Sequence, residues 1–143
     1  MSRPIRIREF CFPDDYPVVR ELWSSAGPGI HLRRSDEPEE IQKKLQRDPD
    51  LFLLAEDDGK VMGSVIGGFD GRRGLVYHLA VTEDYRNQGV GALLMEELEK
   101  SLRAKVCIRI YLLVTRDNPE AIAFYEKHGW EKMDLHIYGK DIA

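Results

Sequence analysis

Leu75-Val76-Tyr77-His78-Leu79-Ala80-Val81, a polar loop from Thr82 to Gln88, and then Gly89-Val90-Gly91 form the stretch that decides the fold. The first run is apolar at nearly every position, which predicts a central strand covered on both faces. Beyond the glycines Val90, Leu94, Leu98 and Leu102 recur four apart with Leu93 beside them, which predicts an amphipathic helix. Glycines between a strand and a helix let the backbone come close to a ligand, because no Cβ stands in the way. The first amides of a helix lack intrahelical partners and the helix dipole is positive there. A pyrophosphate fits such an end, and Arg86 adds a fixed charge beside it.

Other nucleotide-binding loops are excluded by spacing. A P-loop requires G-x-x-x-x-G-K-[ST], and no Gly-Lys-Ser/Thr occurs in the chain. A dinucleotide fingerprint requires G-x-G-x-x-G/A on a tight strand-to-helix turn. Here Leu94 occupies the third position, and seven residues separate Val81 from Gly89.

Upstream, Ile5-Arg6-Ile7-Arg8 alternates as a half-buried strand does. Pro13-Asp14-Asp15 opens a helix with Tyr16, Val19, Leu22 and Trp23 on one face, and Ala26-Gly27-Pro28-Gly29 breaks it. Ser35 or Asp36 is placed to cap a second helix carrying Ile41 and Leu45. Leu51 to Glu56, a turn at Asp57-Asp58-Gly59-Lys60 and Val61 to Ile66 read as a hairpin. Downstream, Val106 to Val114 reads as a strand. Asn118-Pro119-Glu120 starts a helix with a cap, a proline at the first position and an acid in the first turn. Gly129 stands where a C-terminal glycine belongs, and Trp130 to Tyr138 reads as a closing strand or hairpin. The expected order is β-α-α-β-β-β-α-β-α-β, a mixed α/β domain on one sheet spanning residues 1–143.

The 143 residues, 43% hydrophobic and 32% charged, fit one globular domain. No apolar run approaches the roughly 18 residues of a membrane span. The basic N-terminus lacks the apolar stretch of a secretory signal. The expected location is cytoplasmic, with no membrane partner. The net charge of −4 argues against a nucleic-acid partner. Cys11 and Cys107 are far apart, and His31, His78, His128 and His136 are scattered without ligand spacing, so no metal is expected.

A second signal lies in the Asn118 helix. Asn118, Ala121, Ile122 and Tyr125 fall on one face, two turns from end to end. If the strands at 75–81 and 106–114 are neighbours, that face approaches the glycine loop. Arg86-Asn87-Gln88-Gly89-Val90-Gly91 resembles the Q/R-x-x-G-x-G/A signature of the GCN5-related N-acetyltransferases, the GNAT superfamily. The segment from Asn118 to Trp130 resembles that superfamily's N-x-x-A-x-x-x-Y-x-x-x-G-F pattern, and the chain looks closest to small bacterial acetyltransferases of the YpeA type.

The resemblance implies a GNAT-type single mixed, largely antiparallel sheet flanked by about four helices, its central strands splayed into an acyl-CoA cleft. It implies an acetyl-CoA-dependent N-acetyltransferase acting by direct attack of a primary amine, from a small molecule or a peptide N-terminus. Backbone groups of Leu79, Ala80 and Val81 would hold the pantetheine arm. Arg86, Asn87, Gln88, Gly89, Val90 and Gly91 would hold the pyrophosphate. Asn118 would touch the arm, and Tyr125 would protonate the departing thiolate. Many relatives carry a glutamate base where this chain has Leu75, and others one where it has Leu113. The remaining candidates for a base are His78, Tyr77 and Asp70, of which His78 has the best intrinsic pKa. The missing glutamates keep open the alternative of a non-catalytic acyl-CoA-binding or sensing module. Acceptor recognition is expected from Ser24 to Glu37, with His31, Arg33 and Arg34, together with the closing hairpin. Pairing of closing strands between copies offers a route to a homodimer.

Overall fold

The computed structural model describes residues 4–27 and 30–143. The expected break at Pro28-Gly29 and the basic start at residues 1–3 lie outside the described residues. Among the described residues five strands form one sheet in chain order: β1 (Arg6–Glu9), β2 (Phe52–Asp57), β3 (Lys60–Phe69), β4 (Gly74–Val81) and β5 (Ile110–Leu112). The first four pair antiparallel. Asp58 and Gly59, with φ of 52° and 81°, make the tight β2–β3 turn that needs two left-handed residues.

Strand β5 pairs parallel with β4, and a parallel pair needs a crossover helix. That helix is α3 (Val90–Ala104); Val90, Leu94, Leu98 and Leu102 are buried as their spacing predicts, whereas Leu93 is 38% exposed. Helix α3 packs on one sheet face, against Leu51, Leu53, Met62, Val65 and Val76. Helices α1 (Tyr16–Ser24) and α2 (Pro38–Arg47) cover the other, where Val19, Leu22, Trp23 and Ile41 meet Phe52, Leu54, Val61 and Ile66. Each such side chain contributes roughly 1.5–3 kcal/mol on burial. Helix α4 (Pro119–Lys127) follows β5.

Two expectations need correction. The strand expected over 106–114 is only Ile110–Leu112. Val106 adopts φ 62° and Cys107 still donates to the Leu102 carbonyl, so the chain is finishing the helix there. The closing strand expected over Trp130 to Tyr138 does not form; residues 131–143 carry no strand and Met133, Leu135 and Ile137 are exposed. Alternation indicates a segment that would suit a pleated surface, but a strand also needs a partner edge. The strand-paired route to a homodimer loses its strands with it.

Candidate active site

Strands β3 and β4 pair through Ile66↔Tyr77 and resume at Ser64↔Ala80, so Val65 faces both His78 and Leu79. This is a β-bulge, which bends a strand and re-aims its side chains. His78 takes φ 49°, a left-handed conformation costing a non-glycine residue about 1–2 kcal/mol. Val76 and Leu79 pack on the α3 side and Ala80 on the α1 side. Tyr77 opposes Ile66 of the α1 side, and His78 meets Trp23 of α1 with ring centroids 4.8 Å apart. Two consecutive side chains therefore share a face that strict alternation would divide.

The His78 imidazole Nε2 lies 2.8 Å from Asp36 Oδ1. Asp36 is 5% exposed, in a 3-10 turn at Arg34–Asp36. Its Oδ2 accepts from the Arg33 amide at 3.0 Å. Its carbonyl accepts from the Tyr16 hydroxyl at 2.8 Å, and Arg20 donates to that hydroxyl at 3.0 Å. Burial pushes the Asp36 carboxyl up, but the hydrogen bonds from His78 and the Arg33 amide outweigh it and hold it below the usual carboxylate range. Behind the bulge, Trp23 Nε1 donates to Ser64 Oγ at 3.0 Å, and Ser64 Oγ donates to the His78 carbonyl at 3.4 Å. Asp36 is thus not a helix cap. Glu37 occupies the cap position of α2 without a side-chain bond, and Ser35 does not cap it either.

The other candidate bases are poorly disposed. Asp70 is exposed at the far end of the β3–β4 hairpin, where the Arg73 and Arg72 amides hold its carboxyl below the usual range. Burial pushes the Tyr77 phenol up, away from phenolate. Leu75 pairs with Gly68 and Tyr111, and Leu113 is exposed just past β5. His31, Arg33 and Arg34 are all exposed, and Arg34 meets the carbonyl oxygen of Ala143.

On the cleft side, β4 and β5 pair only from Gly74↔Ile110 to Val76↔Leu112, and among the described residues β4 continues unpaired on that edge to Val81. The Thr82 amide donates to the Met62 carbonyl at 2.9 Å, so neighbouring Val81 points its backbone groups away from β3. Its carbonyl accepts Arg86 Nε at 3.1 Å, and Arg86 Nη2 donates to the Ala26 carbonyl at 3.0 Å. Arg86 therefore ties the end of α1 to the end of β4. Gln88 Nε2 donates to the Asp84 carbonyl at 3.0 Å.

Asn87 and Gly89 take φ of 63° and 83°, turning the chain into α3. A Cβ on Gly89 would meet nothing within 4 Å, so this turn faces open space. The amides of Val90, Gly91 and Ala92 begin α3 without intrahelical partners. Gly91 serves a different purpose: a Cβ there would meet Phe124 Cζ at 3.3 Å and Leu79 Cδ2 at 4.0 Å. Strand β4, the start of α3 and α4 therefore converge on Gly91. An open glycine turn, orphan helix amides and an unpaired strand edge together fit a ligand with a pyrophosphate and an extended amide-bearing arm.

Asn118 Oδ1 accepts from the Ala121 amide at 3.3 Å, as the sequence predicts for a cap. At the other end of α4 the Trp130 amide donates to Tyr125 and the Gly129 amide to Glu126, with Gly129 at φ 91°. This is the Schellman arrangement, and its usual apolar contact is Tyr125 against Trp130, with ring centroids 5.9 Å apart. Phe124 packs edge-on to Tyr125 at 5.4 Å. Burial pushes the Tyr125 phenol up to about 12. Sequence reasoning missed Asp36 as the partner of His78. The one available signal was an acid beside the basic run His31 to Arg34.

Among the described residues no helix is long and apolar enough to cross a membrane. The sequence model of the acetyltransferase (GNAT) family matches residues 16–130. An acetyltransferase of Pectobacterium atrosepticum is 44% identical over 128 residues, 89% of either chain. One of Sodalis glossinidius is 45% identical over 122 residues, 85% of this chain and 84% of its own. Ard1 from Thermoplasma volcanium superposes with a TM-score of 0.79 at 27% identity, covering 91% of this chain and 84% of that one. The PaiA N-acetyltransferase from Thermoplasma acidophilum, solved with coenzyme A, gives 0.82 at 22% identity over 94% of both. The chain belongs to the GNAT acetyltransferase family, and it is an N-acetyltransferase whose acyl donor is acetyl-CoA.

Proposed function

We propose that residues 1–143 form a single acetyltransferase domain that passes acetyl to a primary amine by direct attack, the amine belonging to a small molecule or a peptide N-terminus. The observation that carries this reading is the convergence of Leu79, Gly91 and Phe124 beside the unpaired edge of β4. When bound, acetyl-CoA supplies a thioester carbonyl and a leaving sulfur. Backbone groups of Leu79, Ala80 and Val81 line the pantetheine arm, and those near Leu79 or Ala80 are the donors for the developing oxyanion. Amides from Asn87 to Gly91, Val90 included, hold the pyrophosphate on the helix end. Arg86 contributes by holding the loop, since its guanidinium is engaged by Val81 and Ala26. Asn118 keeps its side-chain amide hydrogens for the arm while its oxygen caps α4.

Tyr125 is the proton source for the leaving sulfur. The phenol carries its proton at neutral pH, as an acid requires, and burial disfavours the phenolate further. His78 is the base that frees the acceptor amine, since only the neutral amine attacks. The setting is cytoplasmic, without nucleic acid or membrane. A homodimer, if formed, would use the exposed apolar residues of the C-terminal segment. The test is a thermal-shift titration with acetyl-CoA, followed by free-thiol release across amines, amino acids and peptides, with mass spectrometry of the product. Stabilisation by acetyl-CoA and an amide product are expected. No shift at millimolar acetyl-CoA, or an ester product, overturns the reading.

A further inference from the structure

The His78–Asp36 pair belongs to neither sequence motif, and it bridges elements 42 residues apart in the chain. It stands on the α1 face of the sheet, at the bulge where β4 is re-aimed. The carboxylate is almost fully buried and is fixed from several directions. The Arg33 amide binds one oxygen, His78 the other, and Tyr16, braced by Arg20, binds the carbonyl of the same residue. His78 is held in turn by Trp23 against its ring and by Ser64 Oγ, which donates to its backbone carbonyl. Among the described residues Nδ1 has no hydrogen-bond partner, and the side chain keeps 20% of its surface exposed. A carboxylate hydrogen-bonded to one imidazole nitrogen selects the tautomer that carries hydrogen there, leaving a lone pair on the other.

We propose that Asp36 is a positioning residue that holds His78 as the Nε2–H tautomer, so that Nδ1 takes the proton of an acceptor that arrives as an aliphatic ammonium ion. This deepens the transferase reading above and rests on it. The acceptor's proton moves to Nδ1, and its freed lone pair forms the C–N bond. The C–S bonding pair leaves with sulfur, which takes the Tyr125 proton. The nitrogen's surplus proton returns to Tyr125, and His78 releases its proton to water. Asp36 stays ionised throughout, opposite the imidazolium. The charged and titratable groups around the pair are Tyr16 and Arg20 from α1, Arg33 and Glu37 beside Asp36, and Tyr77 from β4.

The structure supplies this pair where Leu75 and Leu113 leave no glutamate. An acceptor that is already neutral does not need it. That separates proton removal from a merely structural role.

Two measurements test the proposal. Nitrogen-edited NMR of the free wild-type protein reads the His78 tautomer directly; Nε2–H is expected, and Asp36→Asn should erase the preference. Thiol release from acetyl-CoA is then compared with ethylamine, protonated at neutral pH, and trifluoroethylamine, largely neutral there. His78→Gln and Asp36→Asn should lower kcat/KM for ethylamine about 10- to 100-fold and lower that for trifluoroethylamine much less. An Nδ1–H tautomer in the wild type, or equal losses with both amines, overturns the proposal. Wild-type protein that shows the Nε2–H tautomer but neither a thermal shift with acetyl-CoA nor thiol release with any amine, amino acid or peptide overturns instead the transferase reading on which it rests.

Discussion

The two glycines of the cofactor loop should respond differently to alanine, because they are glycine for different reasons. At Gly89 the backbone has φ 83° and an added Cβ touches nothing within 4 Å. The whole penalty of Gly89→Ala is conformational, about 1–2 kcal/mol. That corresponds to a fall of roughly 3–8 °C in melting temperature for a chain of this length. At Gly91 the backbone is helical, and alanine gains about 0.5–1 kcal/mol of helix propensity. Against that gain, the new methyl stands 3.3 Å from Phe124 Cζ, so the ring must yield by a few tenths of an ångström. The two effects nearly cancel, and Gly91→Ala should be close to neutral. Gly91→Val pushes further methyls toward Phe124 and Leu79, and overpacking of that kind costs about 1–3 kcal/mol. Urea denaturation followed by far-UV circular dichroism gives all three differences at unchanged m-value. The expected order of stability is wild type and Gly91→Ala together, with Gly89→Ala and Gly91→Val below them. A Gly89→Ala protein as stable as wild type would refute the left-handed turn. A Gly91→Val protein without cost would refute the convergence of α3, α4 and β4.

Three other outcomes follow from the same geometry. Ser64→Ala leaves the buried Trp23 Nε1–H without a partner and should cost about 1–3 kcal/mol in urea denaturation, with a shift in tryptophan fluorescence. Tyr125→Phe should lower kcat by up to about 100-fold while the acetyl-CoA thermal shift persists; an unchanged kcat excludes the phenol as acid. The Arg8 guanidinium holds the Asp15 carboxyl below its unfolded value near 3.9. Stability from this pair is therefore present above about pH 4 and is lost as pH falls through the folded value. Acid unfolding curves of Asp15→Asn should be flatter in that window, and an identical acid slope would count against the pair.

The parts of this molecule that were legible in its sequence are those whose cause is local. The spacing of Val90, Leu94, Leu98 and Leu102 produces a buried helix face because helical geometry alone lines them up. Asn118 caps α4 and Gly129 ends it for reasons contained within a few residues. What escaped were consequences of distant contacts. Trp130 to Tyr138 alternates like a strand, but its fate depends on an edge that β5, three residues long, does not extend to it. The motif places Arg86 beside the phosphate loop but gives no sign of its contacts with the carbonyls of Val81 and Ala26, the latter 60 residues away.

The bulge at His78 is the most instructive case. Period-two reasoning divides Tyr77 and His78 between opposite faces and makes His78 look like one more residue of a buried strand. Placing two residues opposite Val65 turns both side chains to the α1 face. No residue in the stretch announces this, since Leu75 to Val81 contains neither glycine nor proline after its start. The device is held from outside, by Ser64 on the backbone and by Asp36 and Trp23 on the ring. A left-handed histidine without those supports would relax into the regular ladder. The base proposed for this enzyme is therefore a property of the packed α1 face, and Ser64→Ala should loosen it along with the core. If His78 keeps its tautomer and the enzyme its rate with ethylamine in that variant, Asp36 and Trp23 are sufficient to hold the ring.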